Sequence, residues 1–338
     1  MNQVERSILA ILDGGDIIVV DAGAAYGLPW HLRALAPIAT VCYFEPDPDA
    51  AEELRKLIRS HNNSKARVFT TALAGTEGDR TLYVTNAPTG SSLLMPDKEV
   101  AGENPGYFYP IREITVHTRP LEAVLGEAGL MRVDTIKLDV QGAELEILEG
   151  LGPMLAADTL GAEMEIGFPG AYIDQPGFPE LNALMTKSGF ALYDMRLSSG
   201  DPLFKGRYGN CRRDIFRLPK NSTSLTKRIG ETDAIYFRRV DQVLERRDAG
   251  MARRLMVLMG LYGFFIDALI LADRARDDGI LSPAQADSCR AALMAWHGAT
   301  RDAVLDSLWF EKIRELACRI SWKLQRKLLG REFYRWLA

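Results

Sequence analysis

The sequence predicts an α/β fold with a doubly wound parallel sheet, followed by a helical C-terminal region. From Asp16 to about Arg196, short apolar runs alternate with helical patterns, which is typical of βαβ units. An acid and a glycine-containing turn follow the first apolar run. After Val240 no strand pattern remains, and only helical periodicity continues. We therefore expect a sheet domain over residues 1–240 and a helical region over 241–338.

Seven apolar runs rich in β-branched and aromatic residues predict the strands of the sheet. Two further runs, Thr81–Thr85 and Ile111–Thr118, bracket the turn-rich segment Ala87–Pro110 and predict an added hairpin or flap. A long irregular insertion of this kind is usually functional. The seven runs are Ile17–Asp21, Thr40–Phe44, Arg67–Leu73, Thr135–Asp139, Leu160–Ile166, Phe190–Asp194 and Ala234–Arg238.

The helical region has three periodic segments: Met251–Arg276, Pro283–His297, and Ala303 to the last residue. Within the first, Leu255–Leu271 is almost wholly apolar. At 17 residues with Asp267 inside, it falls short of the roughly 20 residues that span a bilayer. We expect this segment to be buried in the core or in a dimer contact, with an interfacial helix as the alternative.

Composition narrows the class of protein. The chain has 338 residues, of which 47% are hydrophobic, and its formal net charge of −4 argues against nucleic acid as a partner. The four cysteines form no C-x-x-C pair, which indicates reduced thiols. The first residues lack the pattern of a secretory signal. These features predict a cytoplasmic protein.

The turn after the first strand predicts a nucleoside cofactor. Asp21 and the G-x-x-x-G turn Gly23–Gly27 are followed about 20 residues later by Glu45, at the end of the second strand, where a carboxylate can accept both ribose hydroxyls. Ala25 stands where a dinucleotide site needs glycine, so S-adenosylmethionine is favoured over a nicotinamide cofactor. The predicted cofactor contacts are Asp21, Gly23, Ala24, Tyr26, Gly27, Glu45, Leu73 and Asp139.

A further motif identifies a family resemblance. Lys137-x-Asp139-x-x-Gly142-x-Glu144, together with the segments 21–27, 44–47 and 89–94, resembles the FkbM family of S-adenosylmethionine-dependent methyltransferases over roughly residues 16–240. The family commonly has Asn where this chain has Ala25, and Glu where it has Gln141. The resemblance implies a class I methyltransferase sheet and O-methylation of a hydroxyl on a sugar, glycan or related metabolite.

Two other functions remain as alternatives. One is a nucleotide-dependent oxidoreductase, which Ala25 disfavours. The other is a degenerate methyltransferase fold that serves as an assembly module, which the departures at Ala25 and Gln141 suggest. The acids Asp21, Glu45, Asp139 and Glu144 argue for a working site.

Three residues are candidates for catalysis. Asp139 ends the strand expected beneath the transferred methyl group and is predicted to act as general base or to orient the acceptor hydroxyl. Its alternative role is to cap the helix that begins near Gly142. Glu165 is the second candidate, and His117, in the flap strand, is the third. Asp139 and Glu165 are also the residue types that bind Mg²⁺, but their spacing does not require a metal and none is predicted.

The acceptor is expected to meet the flap and the loop after the strand that carries Glu165. Ser91 and Ser92 offer hydroxyls, with a solvated turn as the alternative. Phe168, Tyr172 and Gln175 offer aromatic and amide groups suited to a sugar ring, although packing of the loop explains the aromatics equally well. His31 is expected to cap or pack on the first helix.

The end of the chain predicts a basic amphipathic helix. Six cations from Arg319 to Arg335 alternate with aromatic and leucine residues between Trp322 and Trp336. We expect this apolar stripe to pack on the enzyme's own helices or on a second subunit as a homodimer. Contact with an anionic membrane surface is the alternative.

Overall fold

A computed structural model describes residues 1–59, 65–86, 88–98, 109–168, 170–197 and 231–300. The predicted terminal helix from Arg319 to Arg335 and the polar loop between Leu197 and Lys227 lie outside these residues. The described strands are β1 (Ile18–Ala22), β2 (Thr40–Phe44), β3 (Arg67–Phe69), β4 (Ala72–Leu73), β5 (Gly78–Thr85), β6 (Pro110–Arg119), β7 (Thr135–Leu138), β8 (Gly161–Gly167), β9 (Phe190–Leu197) and β10 (Glu231–Arg238).

Helices lie before, between and after these strands. They are α1 (Gln3–Leu12), α2 (Pro48–Arg59), α3 (Leu121–Glu127), α4 (Glu144–Glu149), α5 (Pro153–Ala157), α6 (Phe178–Lys187), α7 (Val240–Glu245), α8 (Ala249–Leu261), α9 (Phe265–Asp277) and, over residues 283–300, α10. No helix of the described residues is long and apolar enough to cross a membrane.

The main sheet has seven strands in the order β3-β2-β1-β7-β8-β10-β9. All neighbours pair in parallel except β10, which is antiparallel to both β8 and β9. Strand order reverses between β1 and β7, which is the switch point where open α/β sheets bind ligands beyond the carboxyl ends of the strands. The sheet is α/β and doubly wound, as the sequence predicts.

Two apolar layers cover the sheet, because successive strand residues point to opposite faces. Val19 and Val41 face a layer that also contains Leu54 of α2 and residues of α8, α9 and α10. Val20 and Ile136 face the layer formed with α3 to α6. The described part of the helical region therefore shares a core with one face of the sheet.

The flap is a second, three-stranded sheet of order β4-β6-β5. β5 and β6 pair antiparallel, which confirms the predicted hairpin. The predicted single strand Arg67–Leu73 is wrong: Phe69 still pairs with Phe44, but Ala72 pairs with Thr118 of the flap. The chain leaves the main sheet between β3 and β4 to join the flap.

The predicted helix Met251–Arg276 is also wrong in one respect. It is two helices, α8 and α9, separated at 262–264, where Gly263 takes a φ of 89°. A left-handed residue ends a helix, and glycine adopts that conformation without strain. The run Leu255–Leu271, expected to be buried, contributes Leu255 and Leu271 to the core.

Gly23 fixes the distance between the ends of β1 and β7. Its φ is 77°, its amide donates to the Phe44 carbonyl, and a Cβ at this position would overlap the Asp139 carbonyl oxygen. The turn therefore needs glycine for two reasons, backbone conformation and close approach.

We predict that Gly23→Ala lowers the free energy of unfolding by about 3 kcal/mol or more, because strain at positive φ adds to a backbone collision. Gly14→Ala is the matched control, since Gly14 has a φ of 82° but nothing within 4 Å of an added Cβ. It should cost about 1 kcal/mol. Urea denaturation measures both values, and equal losses would contradict the role of close approach.

Candidate functional site

A cavity of about 510 Å³ opens beyond the carboxyl ends of β1, β2 and β7. It runs from the turn after β1 and the end of β2 to the ends of β8, β9 and β10, with the flap along one side. This volume is within the range of small-molecule sites. Its polar and charged lining includes His31, Glu45, Asp47, Ser91, Ser92, Lys137, Asp139, Glu163, Arg196 and Asp233.

Glu45 lies at the β2 end of the cavity. Its residue is 8% exposed, and its Oε1 accepts a hydrogen bond of 3.0 Å from the Asp47 amide. Among the described residues no donor meets Oε2. Burial raises the Glu45 pKa to about 7, and the negative charges of Asp47 and Asp21 add to the rise. The hydrogen bond from the Asp47 amide lowers the pKa but does not outweigh burial. This carboxylate is positioned to accept hydrogen bonds from a ligand.

Lys137 lies between the acids at the ends of β1 and β7. Its Nζ is 3.0 Å from Asp139 Oδ2 and 3.9 Å from Asp21 Oδ1. Asp21 is fully buried, and neither carboxylate oxygen has a hydrogen-bond partner among the described residues. Burial raises the Asp21 pKa to about 6, although the Lys137 charge opposes the rise.

Asp139 is held as an anion. Burial alone would raise its pKa, but the Lys137 charge and the hydrogen bonds from Gln141 and Lys137 outweigh burial and lower the pKa. Gln141 Nε2 donates to Asp139 Oδ1 at 2.9 Å. The alternative that Asp139 caps a helix is not observed, since α4 begins at Glu144 with no side-chain cap. A carboxylate held in this way suits charge stabilisation better than proton uptake.

Glu165 does not line the cavity, although Asp139 does. It accepts a hydrogen bond from Gln141 Nε2, and burial and the Asp139 charge raise its pKa. The Tyr172 hydroxyl lies 2.9 Å from Gln141 Oε1 and 2.7 Å from the Gly90 carbonyl of the flap. Gln141, where the family commonly has Glu, thus brings an amide between two acids and connects them to the flap.

The far end of the cavity, opposite Glu45, contains Glu163, Arg196 and Asp233. Glu163 Oε2 is 2.7 Å from His31 Nε2 and 2.7 Å from the Tyr262 hydroxyl. The expectation that His31 caps or packs on the first helix after β1 is wrong, because only a short 3-10 turn, Arg33–Leu35, follows it.

The structure brings most of the predicted cofactor residues together. The residues that line the cavity are Gly23, Tyr26, Gly27, Glu45, Leu73 and Asp139, with Ser91 and Ser92 from the flap. Asp21 lies beneath the floor beside Lys137. Ala24 is buried, and its amide donates to the Phe44 carbonyl.

Four predicted catalytic or acceptor residues do not line the cavity, in addition to Glu165. Tyr172 supports the flap. Phe168 packs near Phe178, with ring centroids 6.1 Å apart, and Gln175 Oε1 accepts from the Ala171 amide. His117 is half exposed on β6, where it contacts Asp79 and Glu77. It does not reach the cavity, because its side chain points away on the outer face of the flap hairpin.

Sequence reasoning missed several cavity residues. Lys137 stood in the quoted motif but was given no role, although its pairing with Asp21 in register follows once β1 and β7 are neighbours. Trp30 and Arg196 gave no signal, because neither belongs to a spaced motif. Tyr262, which contacts Glu163 from outside the lining of the cavity, lies in a segment that the sequence predicts as one continuous helix.

Residues 21–192, slightly more than half of the chain, match the family described as the methyltransferase FkbM domain. The chain belongs to this family. Residues 193–338, which include Arg196, Asp233 and Tyr262, lie beyond the FkbM match.

Three curated relatives are similar to part of this chain. Methyltransferase 1 of Beauveria bassiana is 29% identical over 146 residues, 40% of this chain and 59% of the relative. The 2-O-methyltransferase NoeI of Sinorhizobium fredii is 29% identical, covering 44% and 63%, and methyltransferase sdnD of Sordaria araneosa is 32% identical, covering 39% and 60%. The chain thus spans about three fifths of the length of these relatives.

Among solved structures, magnesium protoporphyrin IX methyltransferase from Synechocystis with bound SAM is 11% identical, with a TM-score of 0.33 over 70% of this chain and 80% of that one. The N-terminal domain of EvdMO1 with SAH bound is 11% identical, with a TM-score of 0.32 over 71% and 81%. At such scores neither informs the FkbM site described above.

Within the described residues, no group of three or more His, Cys, Asp or Glu side chains is arranged to hold a metal ion. Lys137 and Gln141 contact the two oxygens of Asp139.

We predict that Glu45→Gln raises the free energy of unfolding by about 2 kcal/mol at pH 8.5 and changes it little at pH 4.5. The folded-state pKa of Glu45 is raised to about 7. The folded state therefore has its full stability below about pH 4.5, where Glu45 is protonated, and loses part of its free energy of unfolding as the pH rises through 7 and the buried carboxylate becomes charged. Removing the charge restores it.

Glu113→Gln is the control, because Glu113 is exposed on β6. It should change stability by less than about 0.5 kcal/mol at either pH. Chemical denaturation at both pH values measures the difference, and a Glu45→Gln variant that is less stable than the wild type at pH 8.5 would contradict the raised pKa of Glu45.

Proposed function

We propose that this chain is an S-adenosylmethionine-dependent O-methyltransferase that acts on a hydroxyl of a sugar, glycan or related metabolite. The observation that carries the proposal is the arrangement of Glu45, Gly23 and Asp139 around one cavity at the switch point of the sheet. Membership of the FkbM family supports it.

The residues of the cavity fit the cofactor. Glu45 can accept hydrogen bonds from both ribose hydroxyls through a carboxylate with an unoccupied oxygen. The bare backbone at Gly23 lets a ligand approach the ends of β1 and β7, and Leu73 and Phe44 provide apolar surface for a base. When bound, S-adenosylmethionine supplies an electrophilic methyl group on a sulfonium.

The charges around Lys137 also favour a cationic ligand. Asp21, Asp139 and Glu163 all act on this single ammonium and raise its pKa, so the acids exceed the lysine in number. A sulfonium near the ends of β1 and β7 would add the missing positive charge in a partly desolvated site. A nicotinamide dinucleotide would instead bring a pyrophosphate towards these acids, which disfavours the oxidoreductase alternative.

The acceptor end supports a polyhydroxylated substrate. Arg196 and Asp233 pair in register on β9 and β10 and offer a donor and an acceptor to neighbouring hydroxyls. Trp30 is 75% exposed at the cavity wall, where an indole can pack on a sugar ring. The name of NoeI, a 2-O-methyltransferase, is consistent with this class.

Asp139 is proposed to orient the acceptor hydroxyl and to stabilise the cationic methyl donor. Methyl transfer is an in-line displacement, so alignment of the acceptor oxygen with the methyl carbon supplies much of the rate.

Two buried free cysteines among the described residues, Cys42 and Cys289, are in keeping with a reaction in the cytoplasm. Binding of the chain to a second copy or to a membrane surface is a proposal that concerns the helix predicted from the sequence over Arg319–Arg335.

We predict that the protein binds S-adenosylhomocysteine and that Glu45→Ala weakens this binding by about 2–3 kcal/mol, the loss of hydrogen bonds to a charged acceptor. Affinity should also fall as pH decreases through about 7, where Glu45 becomes protonated. Titration calorimetry at pH 6 and pH 8.5 checks both effects, with Glu113→Ala as control. Tight binding of NADH with no heat from S-adenosylhomocysteine would support the oxidoreductase instead.

We also predict that Asp139→Asn lowers methyl transfer about 100-fold, because the amide keeps the shape but loses the charge. Transfer is measured with radiolabelled methyl donor and a small-molecule extract from a source strain that lacks the protein. S-adenosylhomocysteine should still bind within about tenfold. Undiminished transfer would remove Asp139 from the reaction, and activity that persists in a strong chelator would exclude Mg²⁺ as a requirement.

A further inference from the structure

Three buried side chains form a hydrogen-bonded group at the acceptor end of the cavity. Glu163 of β8 lies 2.7 Å through Oε2 from both His31 Nε2 and the Tyr262 hydroxyl. All three residues are less than 9% exposed, and His31 and Glu163 line the cavity. The group joins three distant parts of the chain: the loop after β1, the sheet, and the break between α8 and α9.

The Glu163 carboxylate fixes the tautomer of the imidazole. Burial would raise its pKa, but the contacts with His31 and Tyr262 and the Lys137 charge lower it, so the group is an anion and accepts from both neighbours. His31 must then carry its ring proton on Nε2. Nδ1 is buried and has no hydrogen-bond partner among the described residues.

A purely structural role does not account for this arrangement. Burying a carboxylate costs desolvation free energy. An apolar residue at this inward-facing strand position would fill the core without that cost. The histidine also leaves one buried nitrogen unsatisfied, whereas buried polar atoms are normally paired. His31 and Glu163 both line the cavity, where a ligand hydroxyl that reached Nδ1 would supply the missing hydrogen bond.

We propose that His31 takes the proton of the acceptor hydroxyl, with Glu163 and Tyr262 as positioning residues. This inference rests on the proposed function. The acceptor O–H proton moves to His31 Nδ1 while the oxygen lone pair forms a bond to the methyl carbon. The carbon–sulfur bond breaks with its electron pair going to sulfur, which becomes a neutral thioether. The products are a methyl ether, S-adenosylhomocysteine and an imidazolium that returns its proton to solvent.

This assignment gives His31 the proton transfer for which Asp139 is the leading candidate in the sequence, and leaves Asp139 to orient the acceptor. Asp139 is committed to Lys137 and Gln141 and has a lowered pKa, so it is a weak base. His31 has a free nitrogen and a carboxylate partner to stabilise the imidazolium that forms. Other charged groups at this end are Lys137 of β7, Arg196 of β9 and Asp233 of β10.

Tyr262 gives the helical region a part in the reaction. The helix break at Gly263 leaves Tyr262 at the end of α8, and the Arg196 guanidinium lies over its ring at 5.1 Å. Its ring centroid is also 4.9 Å from that of His31. Because Tyr262 lies outside residues 21–192, this support for the base is an addition to the matched FkbM domain.

Nitrogen NMR of the full chain, labelled with ¹⁵N-histidine and bound to S-adenosylhomocysteine, tests the tautomer. The chain has only four histidines, and His31→Gln assigns the signals by their loss. In the neutral ring of His31 we expect a proton on Nε2 and a bare Nδ1. A proton on Nδ1 in the neutral ring would overturn the proposal, whatever the activity of the protein.

The transfer assay with labelled donor and extract tests the role. We expect His31→Gln to lower turnover by about 10²–10⁴-fold, with unchanged affinity for S-adenosylhomocysteine and a residual rate that rises with pH as hydroxide replaces the base. His297→Gln, at an exposed position on α10, is the matched control and should keep full turnover. Turnover of His31→Gln within threefold of wild type would overturn the proposal.

Tyr262→Phe separates positioning from packing. The ring is kept and one donor to Glu163 is lost, so we expect turnover to fall about three- to tenfold, with the acid limb of the kcat profile moved to higher pH and melting temperature retained. A lower melting temperature with an unchanged pH profile would make Tyr262 a packing residue and contradict its place in the group. Wild-type protein that binds S-adenosylhomocysteine but transfers no labelled methyl group to any acceptor would contradict the proposed function. The nitrogen NMR measurement decides the His31 tautomer independently of that result.

Discussion

The ammonium of Lys137 is the constraint on which the site depends. Its Nζ lies 3.0 Å from Asp139 and 3.9 Å from Asp21, and the Glu163 charge acts on it as well. Without this cation, three acids at the ends of neighbouring strands would repel one another in a poorly hydrated space. With it, they can remain close together and still leave net negative charge towards the cavity. That surplus is what a sulfonium-binding site requires.

The backbone makes this charge arrangement available to a ligand. Gly23 turns the chain away from β1 without a side chain, so the ends of β1, β2 and β7 stay open, and Glu45 stands one strand away from the Lys137 group. Cofactor recognition and methyl transfer are thus assigned to different strands of one sheet. The acceptor end lies further along the same edge, where β8, β9 and β10 contribute Glu163, Arg196 and Asp233.

The elements that were predicted correctly are those with strong local patterns. Thr40–Phe44 was placed to the residue, and the flap hairpin was recognised, because apolar periodicity and turn residues define both. The split after Phe69 was missed because a continuous apolar run does not reveal which sheet each residue joins. The break at Gly263 was missed because one glycine in an apolar helix is a weak signal against the surrounding periodicity.

The cofactor half of the site was predicted better than the acceptor half, for a physical reason. Glu45 and the Gly23 turn follow their strands directly, so sequence spacing places them. His31, Glu163 and Tyr262 are far apart in the sequence: Tyr262 lies 99 residues after Glu163 and 231 residues after His31. They meet only because the helical region packs on the sheet. His117 was chosen for its strand and lies on the outer face. No spacing rule distinguishes these cases before the sheet order is known.

The most direct test of the central claim is a crystal structure of the chain with S-adenosylhomocysteine. We predict that both ribose hydroxyls lie about 3 Å from the Glu45 carboxylate, with the sulfur beside Gly23 and Asp139 and facing the end of the cavity that contains His31. A ligand whose ribose contacts a different strand end, or whose sulfur points away from Asp139, would contradict the account.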